Sequence, residues 1–279
     1  MLTPIAQQRV RLVLDVMPTA HKPLLVLADN GEQYYLKYVQ HQAYELKCEW
    51  LCHFLLRCWG VETPEVALLL VPEAVRQNLP VAARSAARHL GEPCFGSQAV
   101  PDALDSSDFI QQGNLSELDL LTNPEDLLWT ALFDAWVSND DRRASHHNLI
   151  LAPDPGPAGA RGRLRCWAID HAYTFTSDRF ENLDFRQTYF SYNANLVQAA
   201  AAQAVLRRWQ RRNPLLWAEE LKEGYYLRIE KCRAQFLAVC ALMPAPYQLS
   251  EAEQTSLFYF LFCQNRLANL WAEFLDSLS

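Results

Sequence analysis

The chain has no surplus of positive charge, no long apolar run and no CxxC pair. Its 25 lysines and arginines face 32 acids, a net charge of −7. Nonspecific grip on DNA or RNA, which needs a basic surface, is therefore not expected. The longest apolar runs, such as Leu257–Cys263, fall far short of the roughly 20 residues of a membrane-spanning helix. Residues Met1–Arg9 lack both a basic stretch and a long apolar core, so no secretory leader is expected. Eight cysteines without CxxC spacing argue against a disulfide framework or a zinc cluster. Cys48, Cys52 and Cys58 fall in one helical pattern, where buried free thiols are the default. A reducing, cytoplasmic setting follows. Repeats and extended low-complexity segments are absent too.

What is present is globular. Half of the residues are apolar and a fifth charged, as in ordinary soluble domains. A chain of 279 residues holds one large domain or two packed lobes. Val10, Leu12, Leu14 and Val16 alternate with polar residues, predicting a strand over Arg9–Val16 with those four on one face. A polar turn, Pro18–Pro23, leads to a strand over Leu24–Ala28, and Asp29-Asn30-Gly31 is a hairpin turn. The strand Gln33–Val39 follows. Leu46, Trp50, Phe54 and Cys58 recur at helical spacing over Gln42–Trp59, with Gly60 at the C-cap. A strand at Val66–Val71 completes a small sheet carrying one helix. Pro72–Thr122 shows no sustained period, apart from a short strand around Cys94–Val100.

From Asn123 the signals turn helical. Asn123 caps, Pro124 takes the first turn, and the helix runs to Trp136. A hairpin of Asn148–Leu151 and Leu164–Ile169 has a Pro/Gly-rich tip at Pro153–Gly162. Helices are then expected over Asn193–Arg212, over Pro214–Met243 with a break near Gly224, and from Glu251, where Ser250 and Glu253 spell a capping box. The predicted class is α+β: a sheet-rich part over residues 1–93, a connector over 94–122, and a helical part over 123–279.

The junction carries the chemistry. Between Phe133 and Asp170 an acid, Asp141, precedes an amide, Asn148, by seven positions. A second acid, Asp170, ends the next apolar run. Phosphoryl transfer needs a carboxylate beside the attacking hydroxyl, hard oxygen ligands for magnesium, and a cation on the nonreacting phosphates. Asp141 suits the first task, Asn148 and Asp170 the second, and Lys37 the third. Each has a plainer reading. Asp140 competes with Asp141, and either could be a turn residue. Asn148 could cap a strand, and Lys37 could point to water from an edge strand. Asp170 follows Cys166-Trp167-Ala168-Ile169, and burying it without a partner would be costly. An inward Lys37 needs a counter-charge from Glu45 or Glu49, one turn apart on the next helix. His146 and His147 project apart with no third ligand at suitable spacing, so zinc is not expected there.

Together these residues resemble the HipA-like kinase family, in particular its small stand-alone branch. The matching segments are Phe133-Asp134-Ala135-Trp136, Asn139-Asp140-Asp141-Arg142, Asn148-Leu149-Ile150 and Ile169-Asp170-His171. Upstream, Tyr35-Leu36-Lys37, Cys48-Glu49-Trp50 and Gly60-Val61-Glu62-Thr63-Pro64 match as well. The resemblance covers about Val10–Phe175. It selects Asp141 over Asp140 and Glu49 over Glu45, and implies a bilobal, protein-kinase-like fold with ATP and magnesium in the cleft. It places Lys37, held by Glu49, and the turn residues Thr19 and His21 near the phosphates. It implies a protein or small-molecule hydroxyl as acceptor. Two positions depart from it: the turn Pro18–Pro23 has no glycine to bring backbone amides close to phosphate, and Ala172 stands where glycine is expected. A regulatory pseudokinase, binding a partner through the helical part or the surface around Gly91–Gly96, is the alternative of a different class. A small-molecule kinase is another.

Overall fold

A computed structural model describes residues 4–19, 22–39, 43–113, 115–142, 147–154, 156, 163–177, 179–188 and 195–278. The first part is a closed barrel. Strands β1 (Ala6–Val16), β2 (Leu24–Ala28) and β3 (Gln33–Lys37) form an antiparallel meander. After helix α1 (Tyr44–Trp59), strand β4 (Val66–Leu70) pairs in parallel with the start of β1. Helix α2 (Glu73–Gln77) precedes β5 (Cys94–Gln98), which lies between β3 and β4. The strand order β1-β2-β3-β5-β4 thus closes on itself, where a small antiparallel sheet is expected from the sequence. β5, assigned from sequence to the connector, is a barrel strand.

The predicted faces of β1 are also corrected. Register shifts fall between Val10 and Leu12 and between Val13 and Asp15. An extra residue at such a bulge switches the face of those that follow. Val10 and Val13 therefore point into the barrel with Leu24, Val26, Tyr34 and Leu36, while Leu12 and Leu14 are 52% and 40% exposed.

α1 begins at Tyr44 and ends at Gly60, whose φ of 86° lets its N–H reach the Leu56 carbonyl at 2.8 Å. Trp50 meets Phe95 of β5 edge-on, ring centres 4.7 Å apart. Trp59 turns the other way, stacking on Trp136 at 5.0 Å and donating Nε1–H to the Trp129 carbonyl at 3.0 Å. Most of the buried side chains of α1 join the core of the helical part, separate from the barrel interior. Fully burying one such side chain stabilises by about 1.5–3 kcal/mol, so α1 fastens the barrel to the rest.

After β6 (Leu104–Asp105) and the short helices α3 (Ser107–Gln112) and α4 (Leu115–Leu118), α5 spans Asp126–Val137. Asn123 does not cap it. Its amide donates to Cys166 O at 2.9 Å and its Oδ1 accepts the Cys166 N–H at 2.9 Å, joining the helix entry to the hairpin. That hairpin is β7 (Leu149–Pro153) with β8 (Leu164–Ala168). Helices α6 (Ala200–Arg212), α7 (Trp217–Leu242), α8 (Glu251–Phe262) and α9 (Gln264–Asp276) follow. The predicted start at Asn193 lies outside the described residues. α7 runs unbroken through Gly224, and the last predicted helix is two, parted at Cys263. The Ser250–Glu253 capping box forms in both directions. No helix of the described residues is long and apolar enough to cross a membrane.

Candidate active site

The hairpin β7–β8 brings its two ends together. Asn148 enters β7 and Asp170 leaves β8, with the Ile169 N–H on the Asn148 carbonyl at 3.0 Å. Both residues have left-handed backbone, φ 44° and 56°. Asn and Asp tolerate that region better than other side chains, but it still carries strain. The strain is held by Arg142, whose side chain is fully buried. Its Nε pairs with Asp134 at 2.7 Å. Nη1 donates to the carbonyls of His147, at 2.6 Å, and Asn148. Nη2 donates to Ile169 O at 3.2 Å and lies 2.7 Å from His171 Nε2. One guanidinium thereby fastens the backbone beside both left-handed residues. Burial first, then the charge of Arg142, hold the His171 imidazole well below its usual pKa, so it stays neutral. Burial pushes Asp134 up to about 6 against the pull of Arg142.

Lys37, Glu49 and Asp170 converge. Lys37 Nζ contacts Glu49 Oε1 and lies 2.8 Å from Asp170 Oδ1. The other oxygen of Glu49 accepts the His171 N–H at 3.2 Å, so one carboxylate links β3, α1 and the segment after β8. Burial alone would lower the pKa of Lys37, but Asp170 and Glu49 outweigh it and hold the ammonium above its ordinary value. One ammonium facing two carboxylates leaves a negative charge to place. Glu49 is only 4% exposed and Asp170 39%. Burial accordingly pushes Glu49 up to about 7, while Lys37 overcomes the burial of Asp170 and holds it well below the carboxylate range.

Asp141 faces Asn148, whose Nδ2 donates to Asp141 Oδ2 at 2.8 Å; the Asp141 N–H is held by Asn139 Oδ1 at 3.2 Å. The Asp140 N–H is bonded to Tyr173 O at 3.2 Å. Of the two glutamates one turn apart on α1, Glu49 is the one in contact with Lys37. The structure thus assembles two contacting groups, Lys37–Glu49–Asp170 and Asp141–Asn148, tied through Arg142. Thr19 is not joined to them by any described contact, and its N–H is on Met17 O at 2.9 Å. His21 lies outside the described residues.

Sequence reasoning assigned no role to Arg142 and missed an apolar surface. Leu25 pairs with Tyr35 and Leu12 with Leu27. These four, with the exposed Leu14, share the outer face of β1–β3 with Lys37, because Tyr35 and Lys37 are two residues apart on one strand. The bulged register of β1 hides this face from a count by alternation. The signal that remained was the unbroken Leu24-Leu25-Val26-Leu27 run, which reads as apolar on both faces.

A family model for a HipA-like kinase matches residues 12–270. The chain belongs to the HipA-like kinase family. A solved structure, that of the Helicobacter pylori proinflammatory kinase CtkA, is similar in fold, with a TM-score of 0.52 at 11% identity over 99% of this chain and 100% of that one. No curated protein matches in sequence. All five residues of the two contacting groups fall inside the stretch matched to the HipA-like kinase model.

Proposed function

We propose that this HipA-like kinase is an ATP- and magnesium-dependent phosphotransferase that moves the γ-phosphoryl group to a protein Ser/Thr or another hydroxyl acceptor. The observation that carries the reading is Lys37, shared between buried Glu49 and partly exposed Asp170. A charged lysine fixed there can take up phosphate oxygens while Glu49 keeps its aim. The barrel with α1 is the nucleotide lobe, residues 123–279 form the lobe carrying the catalytic loop, and the chain after β5 connects them. Leu12, Leu14, Leu25, Leu27 and Tyr35 offer the base an apolar face beside Lys37.

The donor set suits magnesium. Asp170 offers carboxylate oxygen, and Asn148, with its amide nitrogen on Asp141, turns its carbonyl oxygen the other way; hard oxygen donors of this kind are what Mg²⁺ prefers. When bound, the ion compensates charge on the phosphates. Asp141, oriented by Asn148, positions the acceptor hydroxyl and takes its proton. Arg142 keeps Asp141, Asn148 and Asp170 in register. Eight free thiols fit a reducing, cytoplasmic setting.

One observation favours a second reading, a regulatory pseudokinase. In the turn that would cover the phosphates, the N–H groups of Met17, Thr19 and Lys22 are bonded to Pro23, Met17 and Thr19 carbonyls at 2.9, 2.9 and 3.1 Å. Those amides are not free for phosphate. Incubation with labelled ATP and magnesium, alone and with cell lysate, separates the readings. Asp141→Ala should abolish transfer with Mg-ATP binding nearly intact, and Asp170→Ala should weaken that binding. Undiminished transfer by Asp141→Ala sinks the mechanism. If Mg-ATP gives no thermal stabilisation of the wild type, the pseudokinase stands.

A further inference from the structure

A cavity of about 550 Å³ opens away from the candidate active site. Its walls are Arg57 near the end of α1, the turn Gly60–Glu65 after it, the segment Gln98–Asp102 after β5, Pro153 at the end of β7 and Trp167 of β8. Lys37, Glu49, Asp141, Asn148 and Asp170 do not line it. Its volume falls within the roughly 300–1,000 Å³ of small-molecule sites. The frame is preformed: Gln98 N–H bonds Glu65 O at 2.8 Å, and Ala168 N–H bonds Glu62 O at 2.9 Å.

We propose that this cavity binds an amphipathic organic cation, an aromatic body carrying an ammonium group. Val61, Pro64, Val100, Pro101 and Trp167 supply rigid apolar contact. The charge of the lining selects the sign of the ligand. Glu62 is answered by Arg165 at 2.7 Å and Glu65 by Arg57. Asp102, also on the wall, has no ionic or hydrogen-bond partner among the described residues. One uncompensated carboxylate shares the cavity with an indole, whose face attracts cations by about 0.5–2 kcal/mol.

The probe is tyramine, which combines an aromatic ring with an ammonium. Its controls are 3-(4-hydroxyphenyl)propionate, with the charge reversed, and 4-ethylphenol, without charge. Titration of the full chain by calorimetry or ligand-observed NMR should give saturable tyramine binding, with Kd of about 1 mM or tighter. The reversed-charge control should bind at least about tenfold more weakly, with the neutral one between them. Asp102→Asn keeps a side chain that tolerates the φ of 54° at this position and should weaken tyramine about fivefold or more. Val100→Trp, which fills the cavity, should remove binding altogether. No saturable binding at about 10 mM, equal binding of the reversed-charge control, or unchanged affinity in Asp102→Asn each overturns the proposal. None of these readouts requires phosphoryl transfer, so the site stands or falls independently of the kinase reaction.

Discussion

Arg142 engages Asp134, three backbone carbonyls and His171 from a position without solvent. Lysine, with one nitrogen, cannot replace that fork. Arg142→Lys should therefore cost roughly 3–5 kcal/mol in denaturant unfolding, the range for breaking a buried ion pair. Loss within about 1 kcal/mol, as for an exposed pair, would contradict the role. His53 offers a test by pH. Burial, and then Arg57, hold its imidazole at about 3 against an ordinary 6.5. Between those values the unfolded chain takes a proton that the folded chain refuses, so stability is present above 6.5 and lost as pH falls. The difference between wild type and His53→Gln should change by up to about 1.4 kcal/mol per pH unit in that window. A flat difference refutes it. At this scale the grouping of the candidate residues was legible: Asp141, Asn148, Asp170, Lys37 and Glu49 are chemically apt residue types, and the structure brings them together in two contacting groups. Arg142 was not legible, because its value lies in carbonyls up to 27 positions away that no residue type announces.

The elements show where periodicity suffices and where it fails. The capping box of α8 and the glycine end of α1 depend on neighbours within a turn, and local sequence spells them out. Ser250→Ala should cost about 1 kcal/mol, read as a shift in the unfolding midpoint at unchanged slope. Gly224 misleads, because propensity marks it as a break. α7 instead keeps glycine there because Trp129 lies against it: an added Cβ would meet the indole Cη2 at 2.5 Å. Gly224→Ala in an open helix would gain about 1 kcal/mol. Here overpacking should win, with a net loss of about 1–3 kcal/mol, and a more stable variant would show that the contact yields. The bulges of β1 and the side-chain bonds of Asn123 were hidden for one reason. Both answer to partners on other elements, β2 for the first and β8 for the second.

For the molecule as a whole, α1 decides how the parts behave together. Its tryptophans reach Phe95 of the barrel on one side and Trp136 of α5 on the other. Barrel and helices should therefore unfold in a single step, with far-ultraviolet dichroism and tryptophan fluorescence giving coincident transitions. Two separated transitions would show that α1 does not couple them. The same packing sets a timetable for synthesis. α1 is complete at Trp59, whereas Tyr225 of α7, which meets Trp59 edge-on, is made 166 residues later. At ribosomal speeds of about 5–20 residues per second, the apolar side of α1 waits roughly 8–33 seconds for that partner. Phe95 and Trp136 can cover the two tryptophans earlier, but the side of Trp59 that Tyr225 meets stays open on the nascent chain until α7 is made.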